Sequence, residues 1–142
     1  LYMSEEQAQQ LLQQLQMLEQ HASDLSQREY TLANILRETQ SAIESVRALG
    51  EKDDSETMFP IGMGVFIKSR VSSKDSIVLN VGAGVTLEKD RDFALNFLEG
   101  KIKEVQVAIQ DTSAKRQETM DRLEQGKQEV NKLLQAGSDQ HS

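Results

Sequence analysis

The chain has 142 residues, no cysteine and no tryptophan, and a formal net charge of −7. The missing cysteine excludes disulfides and thiolate metal sites, and an acidic balance without a basic cluster makes a nucleic-acid backbone a poor partner. No apolar run approaches the roughly 20 residues of a membrane span, so no membrane partner is expected.

The first four residues, Leu1-Tyr-Met-Ser, carry neither a basic region nor a signal-like apolar stretch. Met3 is a candidate start. Ser4 with Gln7 three residues on predicts a capping box, and Glu5 and Glu6 suit the positive end of a helix dipole. Apolar residues then recur in alternating steps of three and four. One set is Ala8, Leu15, Ala22, Glu29, Leu36 and Ile43; the other is Leu11, Leu18, Leu25, Leu32, Thr39 and Val46. This unbroken heptad register predicts a coiled-coil helix over residues 4–50, about 60–70 Å long, with Gly50 as its C-cap.

Residues 51–92 change period. Glu51 to Thr57 is polar and is expected as a loop. Beyond it apolar residues fall on odd positions: Ile61, Met63, Val65, Ile67 and Val71, then Ile77, Leu79, Val81, Ala83, Val85 and Leu87. Period-two alternation in β-branched residues predicts half-buried strands. The motif apolar-Gly-x-Gly-Val occurs twice, at Ile61–Val65 and Val81–Val85, and marks bends or bulges. Ser72 to Ser76 has the length of a hairpin connector. Two consecutive β-hairpins are predicted, each bending near a Gly-x-Gly or at the Ser-rich connector. Four short strands burying one face cannot form a stable domain alone. Ile61, Val65, Ile67, Ile77, Leu79, Val81, Val85 and Leu87 are therefore the candidate oligomer interface, most simply with similar sheets from other subunits.

Lys89-Asp90-Arg91-Asp92 reads as a second loop, with Asp90 or Asp92 as N-cap. A second heptad seam predicts a helix over residues 93–137. Its sets are Leu95, Ile102, Ile109, Arg116, Leu123 and Val130, and Leu98, Val105, Thr112, Thr119, Gly126 and Leu133. Ala136-Gly137 is expected to end it, leaving Ser138 to Ser142 as a tail. The fold class is mainly α with a small β part: a long antiparallel two-helix coiled coil with two central β-hairpins. A pairing that sets Leu15 near Val130 and Val46 near Leu98 brings Glu29 close to Arg116 inside the seam.

Catalytic signatures are missing. Val81-Gly-Ala-Gly-Val-Thr-Leu has Leu87 where a dinucleotide fingerprint needs Gly or Ala, and charged residues separate it from the helix. His21 and His141 have no expected ligand partners, and two helices offer no pocket for paired carboxylates. No enzyme activity, cofactor or metal is expected. Leu12 and Leu134 lie one position off the seam near the distal end, where Leu1, Tyr2, Met3, Met17 and Met120 add apolar surface. They either widen the seam or form a sticky tip.

Three segments carry a family resemblance: Phe59-Pro-Ile-Gly-Met-Gly-Val-Phe-Ile, Val81-Gly-Ala-Gly-Val-Thr-Leu-Glu-Lys-Asp, and Phe93-Ala-Leu-Asn-Phe-Leu. Here the chain resembles the alpha-class subunit of prefoldin, of the archaeal type. The two-hairpin insert fits that class, since the beta class has one. The resemblance implies a hexamer of two alpha and four beta subunits, with the hairpins assembled into an intersubunit β-barrel. It also implies a holdase that captures unfolded proteins with its tentacle tips, here Leu11, Leu12, Leu133 and Leu134, and passes them to a group II chaperonin. A cytoplasmic location is expected. The rival is a structural coiled-coil oligomerisation protein without client binding.

Overall fold

The computed structural model describes residues 5–51 and 55–141, so the capping role expected of Ser4 and the candidate start at Met3 lie outside it. The elements run in the order α1 (Glu5–Glu51), β1 (Ser55–Gly62), β2 (Val65–Val71), β3 (Ile77–Gly82), β4 (Val85–Lys89) and α2 (Arg91–His141). They divide into two compact units, one holding α1 up to Ala33 with α2 from Val107, the other spanning Asn34–Gln106.

In the first unit the two helix segments run antiparallel. Glu19 meets Lys127 at 3.6 Å, and Glu29, further along α1, meets the earlier Arg116 of α2 at 3.0 Å. Leu15, Ala22, Leu25 and Leu123 are buried between them. So are Thr112 and Thr119, whose hydroxyls donate to the carbonyls of Ala108 and Lys115 at 2.7 and 2.8 Å. That local bond satisfies a polar group which would otherwise cost about 1–3 kcal/mol in an apolar seam. The Glu29–Arg116 contact expected from the register is present. Leu15 packs on Gly126 and borders the same groove as Val130, so the register agrees to within one helical turn.

Gly126 is a packing choice. A Cβ built there would lie 2.4 Å from Leu15 Cδ2. At an open helix position, Gly→Ala stabilises by about 1 kcal/mol. At Gly126 the added methyl overpacks the seam, a change that costs about 1–3 kcal/mol elsewhere and less where, as here, the obstacle is a side-chain end that can turn. Gly126→Ala is therefore expected to give no gain in stability, checked by thermal unfolding followed by far-UV circular dichroism. A gain of the full helix-propensity increment would show that the seam is slack at this level.

In the second unit the seam is closed by Thr39, Ile43 and Val105, with Ala94 fully buried beside it. Three polar devices fix where α2 begins. Asp90 caps it, its carboxylate accepting from the Phe93 amide at 2.8 Å while its carbonyl accepts from the Ala94 amide. The Arg91 guanidinium donates to the carbonyls of Val46 and Arg47 at 3.3 and 3.2 Å, near the end of α1. Arg47 in turn pairs with Glu99 at 3.0 Å. Lys89 stands over the Phe93 ring, 5.2 Å from its centroid.

The strands form two separate antiparallel hairpins, β1–β2 and β3–β4. Both turn at Gly-x-Gly. In the first, Gly62 pairs with Val65, leaving Met63 and Gly64 as a two-residue turn with φ of 51° and 75°. Positive φ at both central residues matches the right-handed twist of the strands and is the type I′ requirement. Met in that region costs about 1–2 kcal/mol, which only a fixed hairpin register would tolerate. The second hairpin repeats the arrangement at Ala83 and Gly84. The first strand of each hairpin is bulged just before its turn, so Ile61 and Val81 fall at breaks in the pairing.

Ser72 to Ser76 links the hairpins through a self-bonded turn. The Asp75 amide donates to the Ser72 carbonyl at 3.0 Å, and the Ser72 amide donates to the Asp75 carboxylate at 2.8 Å.

Four expected boundaries are corrected. α1 continues through Gly50 to Glu51, so Gly50 is not its cap. Glu56 and Thr57 are strand residues paired with Arg70 and Ser69, because β2 is long enough to hold them. The loop expected over Lys89–Asp92 shrinks to Asp90 alone, since the strand keeps pairing to Lys89 and the cap starts α2 at Arg91. α2 passes Ala136-Gly137 and runs to His141.

Candidate assembly and capture surfaces

The two hairpins differ in what they leave uncovered. On β3–β4 the odd positions form one apolar face. Leu79 is buried, with its cross-strand partner Leu87 and neighbours Ile77 and Val81 half-buried; Val85 is exposed. The opposite face is polar in its middle, where Asn80 pairs with Thr86, and its exposed Val78 pairs with Glu88. On β1–β2 both faces are apolar. One carries Phe59 opposite Ile67, with Val65; the other carries Pro60 opposite Phe66, with Met58. All of these are exposed, as is Ile61, and Ile61 is 62% accessible. Searching odd positions alone missed Met58 and Phe66. The signal for Met58 and Phe66 was present in the sequence as unbroken apolar pairs, Met58-Phe59 and Val65-Phe66.

A two-stranded hairpin with two exposed apolar faces is marginal in water. At about 25 cal/mol per Å² of apolar area, covering even one such face is a strong drive to associate.

The second surface lies in the first unit. Leu11 and Leu133 are half-buried in the seam, whereas Leu12 and Leu134 are 51% and 66% exposed. Glu19 and Lys127 face each other one heptad inward from Leu12 and Leu134 respectively. Helical periodicity therefore places the two leucines on the same flank of the pair. Met17 and Met120 are exposed as well. Among the described residues no group of acidic or histidine side chains could hold a metal, and no helix is long and apolar enough to cross a membrane.

A sequence model of the prefoldin subunit matches residues 4–136, which takes in both helices and both hairpins. The chain belongs to the prefoldin family. Within it, the "Prefoldin subunit alpha" of Nitrosopumilus maritimus is 53% identical over 134 residues, covering 94% of this chain and 92% of that one. The "Prefoldin subunit alpha" of Pyrococcus horikoshii is 33% identical over 104 residues, covering 72% of this chain and 70% of that one. Among solved structures, a chain of filamentous PFD from Methanocaldococcus jannaschii superposes with a TM-score of 0.68 at 16% identity, covering 78% of this chain and 92% of that chain. That likeness is one of fold: a prefoldin chain is two long helices joined through small hairpins.

Proposed function

We propose that this chain is an alpha-type subunit of a prefoldin chaperone that holds unfolded polypeptides without nucleotide. The observation that carries the reading is the family match, which spans the helices and the hairpins together. Prefoldins are chaperones, and both apolar surfaces of this chain suit that work. The hairpins, through Ile61, Val65, Ile67, Ile77, Leu79, Val81, Val85 and Leu87 with Met58, Phe59 and Phe66 added, are the assembly surface, closing with other subunits into a β-barrel. The helices α1 and α2 serve as the arms and the strands β1 to β4 as the assembly region. The partners are prefoldin beta subunits, four to two alpha, and a group II chaperonin that receives the client, in the cytoplasm.

Capture falls to the distal leucines Leu11, Leu12, Leu133 and Leu134. Unfolded clients expose apolar segments of varied sequence, so a flat apolar tip suits them better than a shaped pocket. Each tip binds weakly, and several tips on one base raise the effective concentration of the next contact. Release then needs no chemistry, only competition from the next binder.

The test is suppression of aggregation of a chemically denatured protein, followed by light scattering without ATP at matched oligomer concentration. Leu12→Ser with Leu134→Ser is expected to keep the helix signal and the oligomer and to lose most of the protection. Full protection by the double variant would make this subunit a structural scaffold whose partners do the holding.

A further inference from the structure

Between the helix segments of the first unit, just inward of the exposed leucines, lies an open groove of about 390 Å³. Its apolar lining comes from Leu12, Leu15 and Val130, its polar lining from Gln16 on α1 and Asn131 on α2, and the Glu19–Lys127 pair also borders it. Both carboxamides are exposed, and neither has a side-chain partner among the described residues. The volume is at the small end of the roughly 300–1,000 Å³ typical of ligand sites.

The charge around this groove is unusual for the chain. The net charge is −7, yet residues 7–18 contain no charged side chain at all, and half of them are Gln. The nearest carboxylate on α1 beyond them, Glu19, is matched by Lys127 at 3.6 Å. The facing α2 segment adds Glu129 and Lys132, which offset each other. An unfolded polypeptide offers two features whatever its sequence: a peptide group at every residue, and apolar side chains at intervals. Its charges vary in sign and spacing. A carboxamide presents donors and an acceptor as a peptide group does, so it can bond a strand's backbone in either direction. Charged walls would instead select clients by sign and bind them in a salt-dependent way.

We propose that this groove takes an apolar side chain of an extended, non-native polypeptide while Gln16 and Asn131 hydrogen-bond that segment's backbone, making capture indifferent to client charge. The inference rests on the chaperone reading above and names the residues that would read the client.

The test uses the full chain in its assembled form and fluorescence anisotropy with three short labelled apolar peptides: one neutral, one of the same sequence with N-methylated peptide groups, and one carrying added acidic residues. The N-methylated peptide keeps its carbonyls and loses only its N–H donors, so it is expected to bind about fivefold more weakly, the worth of one ordinary hydrogen bond. Gln16→Ala with Asn131→Ala should weaken the neutral peptide by about tenfold, the worth of two ordinary hydrogen bonds, and the N-methylated one by less. Binding of the acidic peptide should vary little with salt. Gln16→Glu with Asn131→Asp, nearly equal in shape, should weaken that peptide selectively and make its binding salt-dependent.

Equal binding of the methylated peptide, or no effect of the alanine pair, overturns the proposal. If Leu12→Ser with Leu134→Ser abolishes peptide binding while the alanine pair leaves it intact, the capture reading stands and the groove proposal falls. If no peptide binds the assembled chain, both fall.

Discussion

Ile67→Asp is expected to give a chain that keeps its helices and no longer assembles. Ile67 stands opposite Phe59 on a hairpin with apolar residues on both faces, and it is exposed in the single chain. Its carboxylate therefore costs the isolated subunit little. Once a partner covers the face, the same carboxylate loses water without gaining a cation, at a cost of several kcal/mol for each contact where it occurs. Every 1.4 kcal/mol is a tenfold change in an association constant, so loss of assembly at micromolar concentration follows. Val78→Asp is the matched control. It too is exposed, but it lies beside Glu88 on the partly polar face of the other hairpin, and it should change assembly little. Native mass spectrometry, with and without a beta-type partner, reads both. Normal assembly of Ile67→Asp would move the interface off β1–β2.

Glu29→Arg is expected to destabilise the chain by about 2 kcal/mol, and Glu29→Arg with Arg116→Glu to recover most of it. The pair sits in the seam at 3.0 Å with its side chains 23% and 32% exposed. That lies between exposed pairs, worth almost nothing, and buried ones, where removing a partner costs about 3–5 kcal/mol. A single reversal puts two guanidinium groups at one level of an apolar seam. The exchange restores opposite charges and leaves helix propensities nearly unchanged. Denaturant unfolding of the four variants forms a double-mutant cycle. Additive losses would mean that the charges do not sense each other and that register is set by the aliphatic layers alone.

The helices were legible because a heptad seam is local: no position of either predicted seam is exposed in the structure. The Glu29–Arg116 contact followed from the same periodicity, since two charges at seam positions of similar level have only each other to meet. Strand ends were not legible, because they depend on how far the partner strand reaches. Glu56 and Thr57 look like loop residues until β2 is seen to extend back to Val71 opposite Ser55. The doubled apolar faces of the first hairpin were hidden for a related reason. A strict period of two assigns one apolar face, and Met58 and Phe66 break that rule by making the second face apolar as well. The groove between Gln16 and Asn131 was not legible, although the register set its neighbours Leu15 and Val130 together, because both carboxamides lie off the seam that the periodicity defines.

Asp90 is the whole of the connection between β4 and α2. One residue contributes two soft torsions, and both are committed here: the carboxylate and the carbonyl of Asp90 each hold an amide of the first helical turn. Arg91 adds a brace to the carbonyls of Val46 and Arg47. The joint therefore has no slack. A tilt of β3–β4 is passed into the first turns of α2, and through the Arg91 brace into the end of α1. In this unit the hairpin is the short end of a crank, its angle tied to the direction of the first turns of α2.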